Sequence, residues 1–316
     1  MIHEIVRHCS RIPRTITWLC CKLVCSEKEL RAAIASGVRQ GFAVQYNGQF
    51  VTSRVSIGPG PLVVLGDTKP GRHHIAHITD THAGSKHFHA RGLIRFGQMA
   101  WKLGCRTVAG TGDWTDGVKP LLVPDQRFTG GDEQCEELVS TWRKLPPFQV
   151  ASISGNHDGY TSAAGGLDFG RVIEERMRAA GIDWHHAGTC AGNAILHGAR
   201  THMWHPMGAA STPNAIRRML NARAETLQEP CDLLLSGHLH HFAMCHAHPE
   251  DVFCASGGTF QLKRSEFANR ISRPWDVGGS IISFTLDRKG RASEFSAKLY
   301  PVAQDSPKAF SYARVP

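Results

Sequence analysis

Four short apolar runs along the chain each give way to small residues and then to a cluster of groups able to bind metal. The first is His74-Ile75-Ala76-His77-Ile78, before Thr79-Asp80-Thr81-His82. The second, Thr107-Val108-Ala109, precedes Gly110-Thr111-Gly112-Asp113-Trp114-Thr115-Asp116, and the third, Val150-Ala151-Ser152-Ile153, precedes Ser154-Gly155-Asn156-His157-Asp158. The fourth is Leu233-Leu234-Leu235, before Ser236-Gly237-His238-Leu239-His240. Four or five apolar residues ended by small ones read as buried strands that leave a sheet at a fixed height. In open α/β sheets such strand ends gather along one edge, where sites form.

Helical periodicity fills the gaps, over about 87–103, 133–144 and 168–180, and Thr212-Pro213 opens a further helix with a cap and a first-position proline. Short strands follow near 252–262, 280–287 and 293–299. This alternation predicts a layered α/β domain over 73–301, with 302–316 as a C-terminal tail. Residues 57–72, with Gly58-Pro59-Gly60-Pro61 and Pro70-Gly71, read as a linker that includes a short strand at Leu62–Leu65. Residues 1–56 form a separate unit. Two short helices are expected first, then a third opened by the capping box Ser26-Glu27-Lys28-Glu29, with Leu30, Ala33, Ile34, Gly37 and Val38 facing inward. A hairpin closes the unit around Asn47-Gly48. Three helices and a two-stranded wing resemble a winged helix-turn-helix domain. Lys28, Arg31 and Arg39 on the third helix could reach phosphates or a major groove, although winged helices also mediate protein contacts.

Charge sharpens this picture. The 316-residue chain carries a formal net charge of +9, and residues 1–72 hold ten Lys/Arg against four Asp/Glu, so most of the excess lies near the N-terminus. A basic arm favours polyanionic partners, with a solvated surface as the plainer alternative. A hydrophobic content of 41% describes a globular chain rather than a disordered one. The ten cysteines are scattered, which predicts free thiols in a reducing, cytoplasmic setting. Cys20, Cys21 and Cys25 cluster, but they lack the partner pair of a zinc site and read as core packing. The apolar run Ile16–Cys25 is broken by Lys22 and lacks a cleavage site, and no stretch reaches the roughly 20 residues of a membrane span. No membrane partner is expected, and oligomeric state stays open.

Asp, His and Asn at strand ends offer mixed oxygen and nitrogen donors, which suit Mn, Fe or Zn better than an all-oxygen Mg or Ca site. A further imidazole could come from His197, His202 or His205, all on strand-like segments.

In order, Asp80-x-His82, Gly112-Asp113-x-x-Asp116, Gly155-Asn156-His157-Asp158, His205 and Gly237-His238-x-His240 resemble the motifs of the calcineurin-like metallophosphoesterases, over about residues 73–290. Asp80–Lys86, Gly112–Gly117, His205-Pro206-Met207-Gly208 and Gly258-Thr259-Phe260-Gln261 look like a microbial and phage-type group of that superfamily, whose members can carry a winged-helix front. The resemblance implies an αββα-type layered domain and two divalent metal ions, with Mn ahead of Fe, Zn or Ni. One ion would take Asp80, His82, Asp113 and His240; the other would take Asp113, Asn156, His205 and His238, with Asp113 bridging. His205 is preferred over His202 on the His-Pro-Met-Gly pattern. His157 would be the general acid, with the Asp116 carboxylate orienting it and raising its pKa, and Asp158 would be structural. Gly117 and Asp158 stand where protein Ser/Thr phosphatases of the superfamily have Arg and Glu, which counts against a phosphoprotein substrate. Gly159–Gly166 could be a substrate-covering loop or a plain connection. The implied activity is a phosphodiesterase on nucleic acid or nucleotides, in the cytoplasm (of the host, if phage-encoded). A phosphomonoesterase or a non-catalytic DNA-binding protein is the alternative.

Overall fold

The computed structural model describes residues 1–9, 14–39, 44–46, 50–52, 58–165, 167–210, 212–227, 229–247, 251–262 and 275–302. The Asn47-Gly48 turn and the tail beyond 302 lie outside these residues. At the N-terminus come α1 (Ile2–Cys9), β1 (Arg14–Thr15), α2 (Ile16–Leu23), α3 (Glu27–Arg39), β2 (Gln45–Tyr46) and β3 (Phe50–Thr52). The strands pair in the order β1-β3-β2. This unit closes on its own core, which includes Ile5, Leu19, Leu30, Ile34 and Val51. The capping box forms as expected: Glu29 accepts from the Ser26 backbone N–H at 2.8 Å. Cys20 and Cys25 pack against this core, whereas Cys21 is exposed, so only part of that cluster is core packing.

Two sheets build the larger part. A seven-stranded sheet has the order β16-β15-β6-β7-β8-β9-β4, from β4 (Gly58–Pro59), β6 (Gly71–Ile78), β7 (Thr107–Thr111), β8 (Gln149–Ser154), β9 (Asp183–Thr189), β15 (Gly278–Leu286) and β16 (Ala292–Pro301). A six-stranded sheet has the order β13-β14-β12-β11-β10-β5, from β5 (Val63–Leu65), β10 (Ala191–Leu196), β11 (Ala199–Trp204), β12 (Leu233–Ser236), β13 (Ala243–Ala247) and β14 (Val252–Ser256). Segment 57–72, expected as a linker, thus supplies an edge strand to each sheet. β4 pairs with β9, and β5 pairs with β10.

Side-chain alternation explains how the layers stack. On β12, Leu233 and Leu235 face the core between the sheets, where Ile75, Ile153, Met203 and Phe284 meet them. Leu234 points the other way, toward Ile216 and Leu220 of α8 (Pro213–Glu225). On the far side of the seven-stranded sheet, α4 (Ala90–Lys102), α5 (Gly131–Trp142) and α7 (Phe169–Ala179) bury Phe96, Leu138, Trp142 and Ile173 against Val108 and Val150. The result is helix, sheet, sheet, helix. Strands β6, β7, β8 and β9 run parallel, as do β11, β12 and β14, so several carboxyl ends open on one edge. All ten cysteines are free, and among the described residues no helix is long and apolar enough to cross a membrane.

Candidate metal centre

The strand ends deliver donor groups at a regular offset. Asp80, Asp113, Asn156 and His238 each stand two residues past the last residue of β6, β7, β8 and β12, and His205 directly follows β11. Close backbone approach makes the convergence possible. A side chain at Gly112, whose φ is +92°, would collide with the Gly155 backbone and the His205 ring. The first two loops are stitched together, because the Asp80 N–H donates to Gly112 O at 2.9 Å and the His82 N–H donates to Asp113 O at 3.0 Å. Five of the seven ligand candidates adopt left-handed backbone: Asp80, His82, Asp113, His238 and His240, with φ between 50° and 72°. Such conformations cost free energy and persist where the surrounding structure enforces them, often at functional sites.

Two of the donor groups that form fall within the expected ligand sets. Asp80, His82 and His240 form one, and Asp113, His205 and His238 form the other; within each, the nearest donor atoms lie within 4.8 Å of one another. His240 Nε2 is 3.2 Å from Asp80 Oδ1 and 3.2 Å from His82 Nε2. In the second group His205 Nε2 is 3.3 Å from Asp113 Oδ2 and 3.0 Å from Asn156 Oδ1. Atoms that share a cation at about 2.1 Å stand roughly 3.0–3.4 Å apart, so these spacings fit a metal. Asp113 Oδ2 also lies 4.0 Å from His82 Nε2, between the groups, while Oδ1 accepts the His157 N–H at 2.8 Å.

The imidazoles are oriented from behind. His205 Nδ1 donates to Thr111 O at 2.6 Å, and His82 Nδ1 faces Asp116 Oδ1 at 3.3 Å. Both leave Nε2 turned inward; the His205 hydrogen bond is the usual support for a ligating histidine, while His82 Nδ1 meets the carboxylate by charge alone. Burial alone would push the His205 imidazole down, but Asp113 and Asp80 raise it to about 9. Buried carboxylates thus draw a positive charge into the place a cation would take. His238 goes the opposite way, to about 4, through burial and the neighbouring His205.

His157 differs from expectation in how it is held. Its Nδ1 donates to the Asp116 backbone carbonyl at 2.7 Å, whereas the Asp116 carboxylate stands 4.0 Å away and supports His82 instead. Burial lowers the His157 pKa and outweighs the upward pull of Asp113 and Asp116. The side chain keeps 20% of its surface exposed against 3% for His82, so it can meet a bound molecule. Asp158 is structural, as expected. It accepts from Gly155 N (2.9 Å), Trp114 N (3.2 Å), Thr115 N (3.0 Å) and Thr115 Oγ1 (2.9 Å).

Other candidates separate from the cluster. His202 faces Asn193 and Arg223, and His197 binds Thr107 Oγ1, so neither joins either donor group. His87, just after the first motif, pairs with Asp125 at 3.2 Å. The segment 159–166 is not a loop through 165: α6 spans Asn156–Gly165. Three further side chains, none assigned a role at the site from the sequence, support it. Trp275 meets the His240 ring edge-on at 4.5 Å, Tyr160 accepts from Asn156 Nδ2 at 3.2 Å, and Thr259 Oγ1 donates to Asp80 O at 2.7 Å.

No protein-family model matches the chain, and no curated protein matches it. Among solved structures, it is similar to a Staphylococcus aureus protein described as a 5′-nucleotidase, in complex with α-ketoglutarate. That match has 12% identity and a TM-score of 0.42, and covers 76% of this chain and 56% of that one. It is also similar to zinc-complexed Vps29 from Entamoeba histolytica, at 12% identity and a TM-score of 0.34 over 73% of this chain and 99% of that one. A conserved Streptococcus pneumoniae protein described as a phosphoesterase matches at 12% identity and a TM-score of 0.33, over 73% and 98%. The chain therefore spans little more than half of the staphylococcal protein. Each likeness is partial, and the chemistry of the site stands on this chain's own residues.

Proposed function

We propose that the chain is a phosphoesterase that works with two divalent metal ions and cleaves phosphodiester bonds of nucleic acid or nucleotides. The carrying observation is the Asp113 carboxylate, set between two buried donor groups. Asp80, His82, Asp113 and His240 would hold one ion, and Asp113, Asn156, His205 and His238 the other. When bound, such a pair supplies Lewis-acid stabilisation of phosphoryl oxygens and makes water acidic enough to deprotonate near neutrality. The mixed imidazole, carboxylate and amide donors suit Mn, Fe, Zn or Ni, and the family resemblance puts Mn first. Only Asp80 and Asp113 bring negative charge to this donor set, so the loaded site stays cationic and favours an anionic phosphate.

His157 supplies the proton for the leaving oxygen. Its Nδ1–H is committed to the Asp116 carbonyl, and its Nε2 makes no hydrogen bond among the described residues. The side chain acts as a general acid from the imidazolium form, in which Nε2 carries the proton that is transferred. Residues 1–56 are read as a winged-helix unit that contacts nucleic acid. Lys28 is exposed, whereas Arg31 is already held by Glu27 at 2.7 Å and by Tyr46 at 3.0 Å, so Lys28 carries more of that contact. The Arg39 side chain lies outside the described residues.

Purified chain loaded with Mn should hydrolyse bis-p-nitrophenyl phosphate and degrade a labelled oligonucleotide. H157A should lose about 10²–10⁴-fold in rate while keeping its metals. Hydrolysis of the mono-ester alone would move the reading to a phosphomonoesterase. An inert protein that binds DNA tightly would make the chain a binding module.

A further inference from the structure

A second site lies away from the metal cluster, on the outer side of the six-stranded sheet. There α8 packs on β13 and β14, and its C-terminal turn meets β10 and the first half of β11. Between them is a cavity of about 620 Å³, within the range that holds a small organic ligand. Leu62, Ile195 and Leu227 give it apolar walls, and two arginines, Arg223 and Arg200, line it.

Arg223 is built in rather than draped over the surface. Asn193 and His202 face each other across β10 and β11. His202 Nδ1 donates to Asn193 Oδ1 at 2.7 Å, which leaves its Nε2 lone pair to accept from Arg223 Nη2 at 3.0 Å. Burial and Arg223 together push the His202 imidazole down to about 4, so it stays a neutral acceptor near pH 7. The guanidinium also sits 5.5 Å from the Trp204 ring centroid. Its Nε–H is buried and has no partner, and among the described residues no carboxylate pairs with it. Arg200 on the same rim shows the contrast, since Asp232 holds it in a fork at 2.6 and 2.9 Å. A guanidinium fixed by neutral groups beside apolar walls, with a buried N–H that no protein group accepts, has the make-up of an anion receptor.

We propose that this cavity binds a small organic monoanion, a carboxylate on an apolar body, with its charge seated on Arg223. The apolar walls take the body, and the open Nε–H with the remaining guanidinium hydrogens takes the oxygens. Exposed Glu229 at the rim repels a second negative charge, which selects a monoanion over a phosphate dianion. This site does not depend on the proposed phosphoesterase activity, because none of its residues belongs to either donor group.

The test is calorimetric titration of the full chain with octanoate and, separately, with octan-1-ol. Octanoate should bind at one site, with octan-1-ol at least tenfold weaker. R223Q should weaken octanoate about tenfold or more and leave octan-1-ol unchanged, and E229Q should bind octanoate as tightly as wild type or more so. Octan-1-ol binding as well as octanoate, octanoate failing to bind, or R223Q leaving its affinity unchanged would each overturn the proposal. Should R223Q fail to fold, the octanoate and octan-1-ol comparison on the wild-type chain still decides.

Discussion

At the scale of single residues, the site depends on atoms that never meet a substrate. Asp158 is fully buried, and each of its carboxylate oxygens accepts two donors from the second and third loops. Burial and the nearby Asp113 raise its pKa to about 6, while the hydrogen bonds from Gly155 and Thr115 pull it back. D158N would turn an amide NH₂ toward two of these donors, and should cost about 2–4 kcal/mol in a denaturant melt. An unchanged midpoint would show that these bonds do not hold the loops. The sequence made the donors legible, since Asp, His and Asn sit at strand ends behind glycines. It did not show which part of Asp116 meets His157. Backbone carbonyl and carboxylate belong to one residue, and only geometry separates them: 2.7 Å against 4.0 Å. The left-handed backbone at five donor positions was equally hidden, because it comes from loops locked to one another rather than from local preference.

At the scale of elements, local rules held where capping chemistry was present. Thr212 caps α8 by accepting from Ala215 N at 3.2 Å, with Pro213 in the first turn. T212A should lower stability by about 1 kcal/mol, read as a fall in the melting temperature. No change would mean that tertiary packing alone fixes that helix start. Glycine content misled at 159–166, where Gly159 and Gly165 fall within α6. The helix forms because its first turn is tied down from outside. Asp113 accepts the His157 N–H, Asp158 binds the preceding loop, and Ser162 accepts from Phe169 N at 3.0 Å. Tertiary ties outweigh the roughly 1 kcal/mol penalty of a helical glycine. The linker reading of 57–72 missed β4 because a Gly-Pro pair has no strand signature of its own; an antiparallel partner on β9 makes it one.

At the scale of the whole molecule, the chain is built on separate cores. The N-terminal core shares no residue with the cores of the two sheets. Removing residues 1–56 should therefore leave turnover of a small diester within about twofold and weaken binding to long polyanions, with a shallower salt dependence. Unaltered oligonucleotide affinity would place the contact elsewhere. The layered architecture could be read from the alternation of strand and helix, whereas the pairing of the two sheets and the cavity beside α8 arise from long-range packing that no local pattern encodes. The central claim belongs to this scale as well, because donors from five distant segments must share one aspartate. Its most direct measurement is the metal content of the chain after loading with Mn and desalting, for wild type and D113A side by side. Two equivalents are expected in wild type, and loss of both, with all activity, in D113A. Retention of two metals by D113A, or wild type that holds none, would contradict it.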